Sequence, residues 1–177
     1  MPAELCKSRR GAGRRALPLV LLLLAGCASA TVPKTVSLQA LQQAPPAAAE
    51  HVEHAVVADA EALRGLCTPL GPQVGLIQVR SATEWTRLVR ATGVAKPCPD
   101  FRRGTLVGLL CWTGTPIRGG EPIRIQSVRV KEGGGLVYAQ FAGGSYLPDG
   151  TAYLDSVFVP NLDAVLAVDV NGVLHFP

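Results

Sequence analysis

"EPIRIQSVRVKEGGGLVYAQF", residues 121–141, decides the fold class. Its first half alternates, with Ile123, Ile125 and Val128 apolar and Arg124, Gln126 and Arg129 polar. That period suits a strand with one face buried and one face wet. "EGGG", residues 132–135, is a hairpin turn, because glycine accepts the left-handed backbone such turns require. "LVYAQF" is then the returning strand.

The same logic extends towards the C-terminus. "AVLAVDV" and "VLHF" flank Asn171-Gly172, a dipeptide suited to a tight hairpin turn. "AGGSYLPDGTAY" reads as a long loop of turn residues, and "TLVGLLCW" as a buried strand. Towards the N-terminus, "IQVRSATEWTRLVRATG", residues 77–93, runs from strand into helix. Ser81 and Glu84 form an S-x-x-E capping box, in which both side chains satisfy free N–H groups of the first turn. Trp85, Leu88 and Val89 share one helical face, and Gly93 ends the helix. "VVADAEALRGL", residues 56–66, has the same form with Asp59 as the cap, which suggests a repeat. The expected fold is α+β, mainly antiparallel β, as a small sandwich or curled sheet with one or two covering helices. It occupies residues 51–177 as one domain, most clearly from residue 72.

The first 26 residues belong to a different kind of segment. Lys7, Arg9, Arg10, Arg14 and Arg15 precede an apolar run of roughly ten residues, half the roughly 20 that a spanning helix needs. "LAGC", ending at Cys27, follows. It resembles the lipobox of bacterial lipoproteins, and the resemblance implies acylation of Cys27 and cleavage before it. Ala28 and Ser29, with no Asp at the second mature position, resemble outer-membrane lipoproteins. Several acyl chains anchor a protein stably where one is marginal. The expected location is the bacterial envelope, with the chain lipid-anchored through Cys27. Residues 28–50, rich in Ala, Gln and Pro, read as a tether. A flexible chain of that length spans roughly 25 Å.

Cleavage changes the charge argument. The chain carries 17 basic and 13 acidic residues, and the signal holds five of the former and Glu4. Twelve of each remain, so no basic face is left to recommend a nucleic-acid partner.

Cys67, Cys98 and Cys111 remain in a compartment that permits disulfides. Cys67 and Cys98 lie among Pro and Gly, in loops that could meet, and are the expected pair. Cys111 lies in an apolar run and reads as a core residue.

Catalytic chemistry has little footing. "HVEH" places His51 and His54 at i, i+3, which would share a helical face and could bind a metal. No third ligand is evident, and the two read as solvated histidines, so no metal or other cofactor is assigned. A Cys111/His175 nucleophile pair is weakened by the apolar strand around Cys111. Asp155, Asp163 and Asp169 have no His at close spacing. The binding candidates are two loops, residues 113–122 and 143–158, with Arg118, Glu121, Tyr146, Asp149 and Tyr153 as contact residues.

Several features together resemble the C-terminal domain of PrcB-type protease-complex lipoproteins. They are Trp85 after a capped helix start, "PDF" at residues 99–101, an apolar strand, and Gly119-Gly120 before an alternating strand. A Gly-rich hairpin and a late strand after Pro160 complete the pattern. Glu121-Pro122 stand where that family usually carries an aromatic. The resemblance covers roughly residues 76–177. It implies a non-enzymatic accessory subunit that stabilises an envelope protein, a protease in that family. The rival expectations are a protease inhibitor acting through the two loops, and a small envelope hydrolase or metal-binding protein.

Overall fold

The computed structural model describes residues 36–57, 59–112, 122–141 and 152–177. The fold is α+β and mainly antiparallel β, with two sheets rather than one. Strands β1 (Glu50–Val57), β2 (Cys67–Pro69), β3 (Val74–Val79), β4 (Gly104–Cys111) and β7 (Ala152–Pro160) form the first sheet, in the order β1-β7-β4-β3-β2. Strands β5 (Ile123–Lys131), β6 (Gly134–Phe141), β8 (Ala164–Val170) and β9 (Val173–His175) form the second, in the order β5-β6-β8-β9. Only the β6–β8 pair is parallel among the pairings described, because the chain leaves the second sheet to form β7 before it returns.

Alternation along the strands builds two apolar layers. On β4, Val107, Leu109 and Cys111 join Leu76, Ile123, Val128, Val137, Val157, Val159 and Val168 in a core shared by both sheets. Leu106 and Leu110 point the other way and meet Trp85 and Leu88 of helix α2 (Ala82–Thr92). The 3₁₀ helix at Ala60–Leu66 adds Leu63 to this second layer. A smaller cluster of Leu41, Leu136 and Ala167 covers the outer face of the second sheet.

The local signals operate as their chemistry requires. Ser81 Oγ accepts the Glu84 N–H at 3.2 Å. The Glu84 carboxylate takes the N–H of Arg80 at 2.7 Å, one residue before the cap. Gly93, at φ 73°, closes α2 in the left-handed region. Asp59 caps the 3₁₀ helix by accepting the Ala62 N–H at 3.2 Å. Both hairpins have two consecutive residues at positive φ, Glu132-Gly133 and Asn171-Gly172. This is the backbone of a two-residue turn that matches strand twist.

Part of the expected tether is folded. Helix α1 (Leu38–Gln43) starts at the Ser37 cap and buries Leu41 completely. Ala47 N–H donates to Val128 O at 2.7 Å. Arg129 Nη1 donates to the Gln42 and Ala44 carbonyls at the end of α1. A cation there satisfies free helix carbonyls and complements the dipole. Low charge and high Ala content suggested a linker, but Leu41 supplies an apolar anchor that such a composition masks. The compact unit accordingly runs from Lys34 to Pro177.

Candidate functional site at the sandwich edge

Asp155 is the one fully buried acid among the described residues, 1% exposed on the inter-sheet face of β7. A carboxylate taken from water must be hydrogen-bonded or paired. Its Oδ2 accepts the backbone N–H of Ile125, on β5 of the other sheet, at 2.5 Å. Its Oδ1 lies 2.8 Å from His54 Nδ1 and 3.2 Å from His51 Nε2. The two imidazole rings are 3.8 Å apart between centroids, tilted by 43°.

This convergence depends on a backbone irregularity. Residues three apart on a regular strand point to opposite faces. The β1–β7 register shifts between His51 and Glu53: His51 pairs with Val157, Glu53 with Ser156 and His54 with Asp155. One extra residue on β1 reverses the alternation, so both histidines project on the Asp155 side. Val52 turns instead into the helix-side layer, 6% exposed. A second register shift, between Ile125 and Ser127 on β5, lies beside the N–H that holds Asp155.

β1 and β5 are outer strands of their sheets, so the cluster sits at the rim of the sandwich. The His51 side chain is 44% exposed and His54 27%. Tyr153 lies one inward position along β7, its ring 6.5 Å from His54. The expected tether-side histidines are thus strand residues, His51 exposed and His54 partly buried, and Asp155 has histidine neighbours from the far end of the fold. Two imidazole nitrogens and one anionic oxygen, all within 4.8 Å of one another, are donors of the kinds that hold divalent transition cations.

Of the expected contact residues, Tyr153 packs partly buried against the inter-sheet core. Arg118, Glu121, Tyr146 and Asp149 lie outside the described residues.

The expected Cys67–Cys98 disulfide is not formed, and both thiols are free. Cys67 is on β2 at one edge of the first sheet. Cys98 lines a groove with Glu50, Val52 and Phe158 at the opposite edge. Four strand spacings of about 4.8 Å separate those edges, roughly 19 Å. A disulfide needs Cα atoms within about 7 Å. Burial pushes the Cys67 thiol up to about 11 and that of Cys111 to about 12. Cys111 and His175 stand in different sheets, on β4 and β9, and do not form a nucleophile pair.

A second cleft, lined by Arg80, Arg102, Arg103, Asn161 and Asp163, lies where β4 begins and β7 ends. Asp100 partly neutralises it: Arg102 Nε and Nη2 donate to its carboxylate at 3.0 and 3.3 Å. Those bonds hold the Asp100 carboxyl below its ordinary range.

Compared with protein-family models, curated proteins and solved structures, the chain finds no match in any of the three.

Proposed function

We propose that this chain is a lipid-anchored, non-enzymatic protein of the bacterial envelope, in which the β domain binds and stabilises a partner protein. The observation that carries the reading is "LAGC" at residues 24–27, preceded by a basic segment and a short apolar run. Acylation of Cys27 anchors the chain without a spanning helix. No helix among the described residues is long and apolar enough to cross a membrane. Helix α1 begins at Leu38, eleven residues after Cys27 in the sequence. Burial raises the Cys111 thiol to about 12, which disfavours the thiolate that nucleophilic chemistry at this residue would need. The likeness of residues 76–177 to PrcB-type subunits makes an envelope protease the first partner to seek.

The test joins metabolic labelling with a radioactive fatty acid to crosslinked recovery of the full chain from membranes. Label incorporation, and one protein recovered in stoichiometric amount, are expected. Both should be lost in Cys27→Ser. A chain that takes no label, or that comes down alone, overturns the reading.

A further inference from the structure

We propose that His51, His54 and Asp155 form a binding site for a divalent transition cation of the zinc type. The inference is independent of the lipid anchor and of any partner protein.

The geometry carries it. Zinc binds imidazole nitrogen at about 2.0–2.1 Å and carboxylate oxygen at about 2.0–2.2 Å, which places neighbouring tetrahedral donors roughly 3.4 Å apart. His51 Nε2 and His54 Nδ1 stand 3.2 and 2.8 Å from Asp155 Oδ1, and the whole set lies within 4.8 Å. A small outward rotation of the exposed His51 ring makes room for the ion. The hydrogen bonds between ring and carboxylate are given up to the ion. Each ring binds the ion as the neutral tautomer with its single proton on the other nitrogen, His51 Nδ1 and His54 Nε2.

The support around the donors is of the kind metal sites use. Ile125 N–H fixes the second carboxylate oxygen of Asp155, which orients Oδ1 towards the histidines. Lys96 Nζ donates to the backbone carbonyl of His51 at 3.2 Å, steadying the strand that carries both rings. All ligand-bearing segments are strands, and the β1 bulge sets the ring positions. The exposed flank of His51 is the entry path. Among the described residues three donors are present, and tetrahedral zinc takes a fourth.

The donor types select the cation class. Two imidazoles favour zinc, copper and nickel over magnesium and calcium, which prefer all-oxygen sites.

The experiment uses the detergent-solubilised full chain and Zn²⁺ alone, competed against a chromophoric chelator, with Mg²⁺ as the control. Cys98→Ser is the background, because that exposed thiol could itself bind zinc. One Zn²⁺ per chain is expected, with affinity falling at least 100-fold in His51→Asn and in His54→Asn. Both side chains are partly exposed, so these variants should fold, as circular dichroism will show. Substituting Co²⁺ should give visible d–d absorption bands that both variants abolish. Failure to bind zinc overturns the proposal. So does binding that persists unchanged in the His51→Asn/His54→Asn double variant, which would leave the cluster a hydrogen-bonded structural motif.

Discussion

His54 stands directly opposite Asp155 across the β1–β7 ladder, and its Nδ1 lies 2.8 Å from a carboxylate oxygen that is otherwise sealed inside the sandwich. The same carboxylate reaches the other sheet through Ile125 N–H, so one side chain joins an outer strand of each sheet.

Asp155→Ala removes the acceptor of a buried N–H, a loss that costs about 1–3 kcal/mol. Asp155→Asn retains an oxygen of the same reach and should cost less. Urea unfolding of the two variants checks the ranking. Equal losses would mean that the carboxylate charge, and not the bond to Ile125, matters for stability.

Gly75 on β3 is a packing requirement. A Cβ there would lie 2.2 Å from Cys67 Sγ and 2.7 Å from the Trp112 ring. Gly75→Ala should therefore destabilise by about 1–3 kcal/mol through overpacking. Gly71→Ala, where a Cβ meets nothing within 4 Å, should be close to neutral. Thermal melts of both variants test the contrast.

The Cys111 thiol titrates near 12 in the folded chain against an ordinary value of 9.0, because burial disfavours the thiolate. Between those values the unfolded state has released a proton that the folded state retains. The Cys111 contribution to stability is thus constant below about pH 9 and is lost as pH rises towards 12. Cys111→Ala removes that contribution, so its unfolding free energy should depend less steeply on pH across this window. A slope equal to the parent's would refute the assignment.

The exposed Cys98 should react first with a maleimide, and Cys67 and Cys111 only slowly until the chain is unfolded. Mass spectrometry of peptides after timed labelling reads the order. Early labelling of Cys111 would show that β4 is less well covered than its packing implies.

Ser81→Ala removes the acceptor for Glu84 N–H and should cost about 1 kcal/mol. Chemical denaturation at neutral pH measures it.

The features legible in the sequence were those with short-range causes. The Ser81 cap, the Gly93 stop and the Asn171-Gly172 turn each depend on a few adjacent residues, and each forms where expected. The turn segment "EGGG" at residues 132–135 was legible only in part. Glu132 and Gly133 make the turn, whereas Gly134 and Gly135 lie in β6, where a Cβ would strike Leu166 and Leu162. Their reason is a neighbour some 30 positions away.

The His–Asp cluster was illegible for two physical reasons. His51 and Asp155 are separated by 104 positions, and only the pairing of the first strand with the seventh joins them. Even with β1 known, a regular strand would send His51 and His54 to opposite faces. The bulge that reunites them leaves no sequence mark stronger than an ordinary valine. The Cys67–Cys98 pairing failed likewise, since loop composition says nothing about which sheet edge a loop reaches.

The placement of β7 has a consequence for the order of assembly. It lies between β1 and β4, yet the chain makes it only after the β5–β6 hairpin of the other sheet. During synthesis β1 therefore emerges with its hydrogen-bonding edge unsatisfied, and its partner follows about a hundred residues later. Pairing over such separations is slow, because loop closure must precede any reward. Until β7 arrives, β1 is an open template for another chain's strand. Anything that shields residues 50–57 in that interval should raise the yield of native protein without adding a single contact to the finished fold.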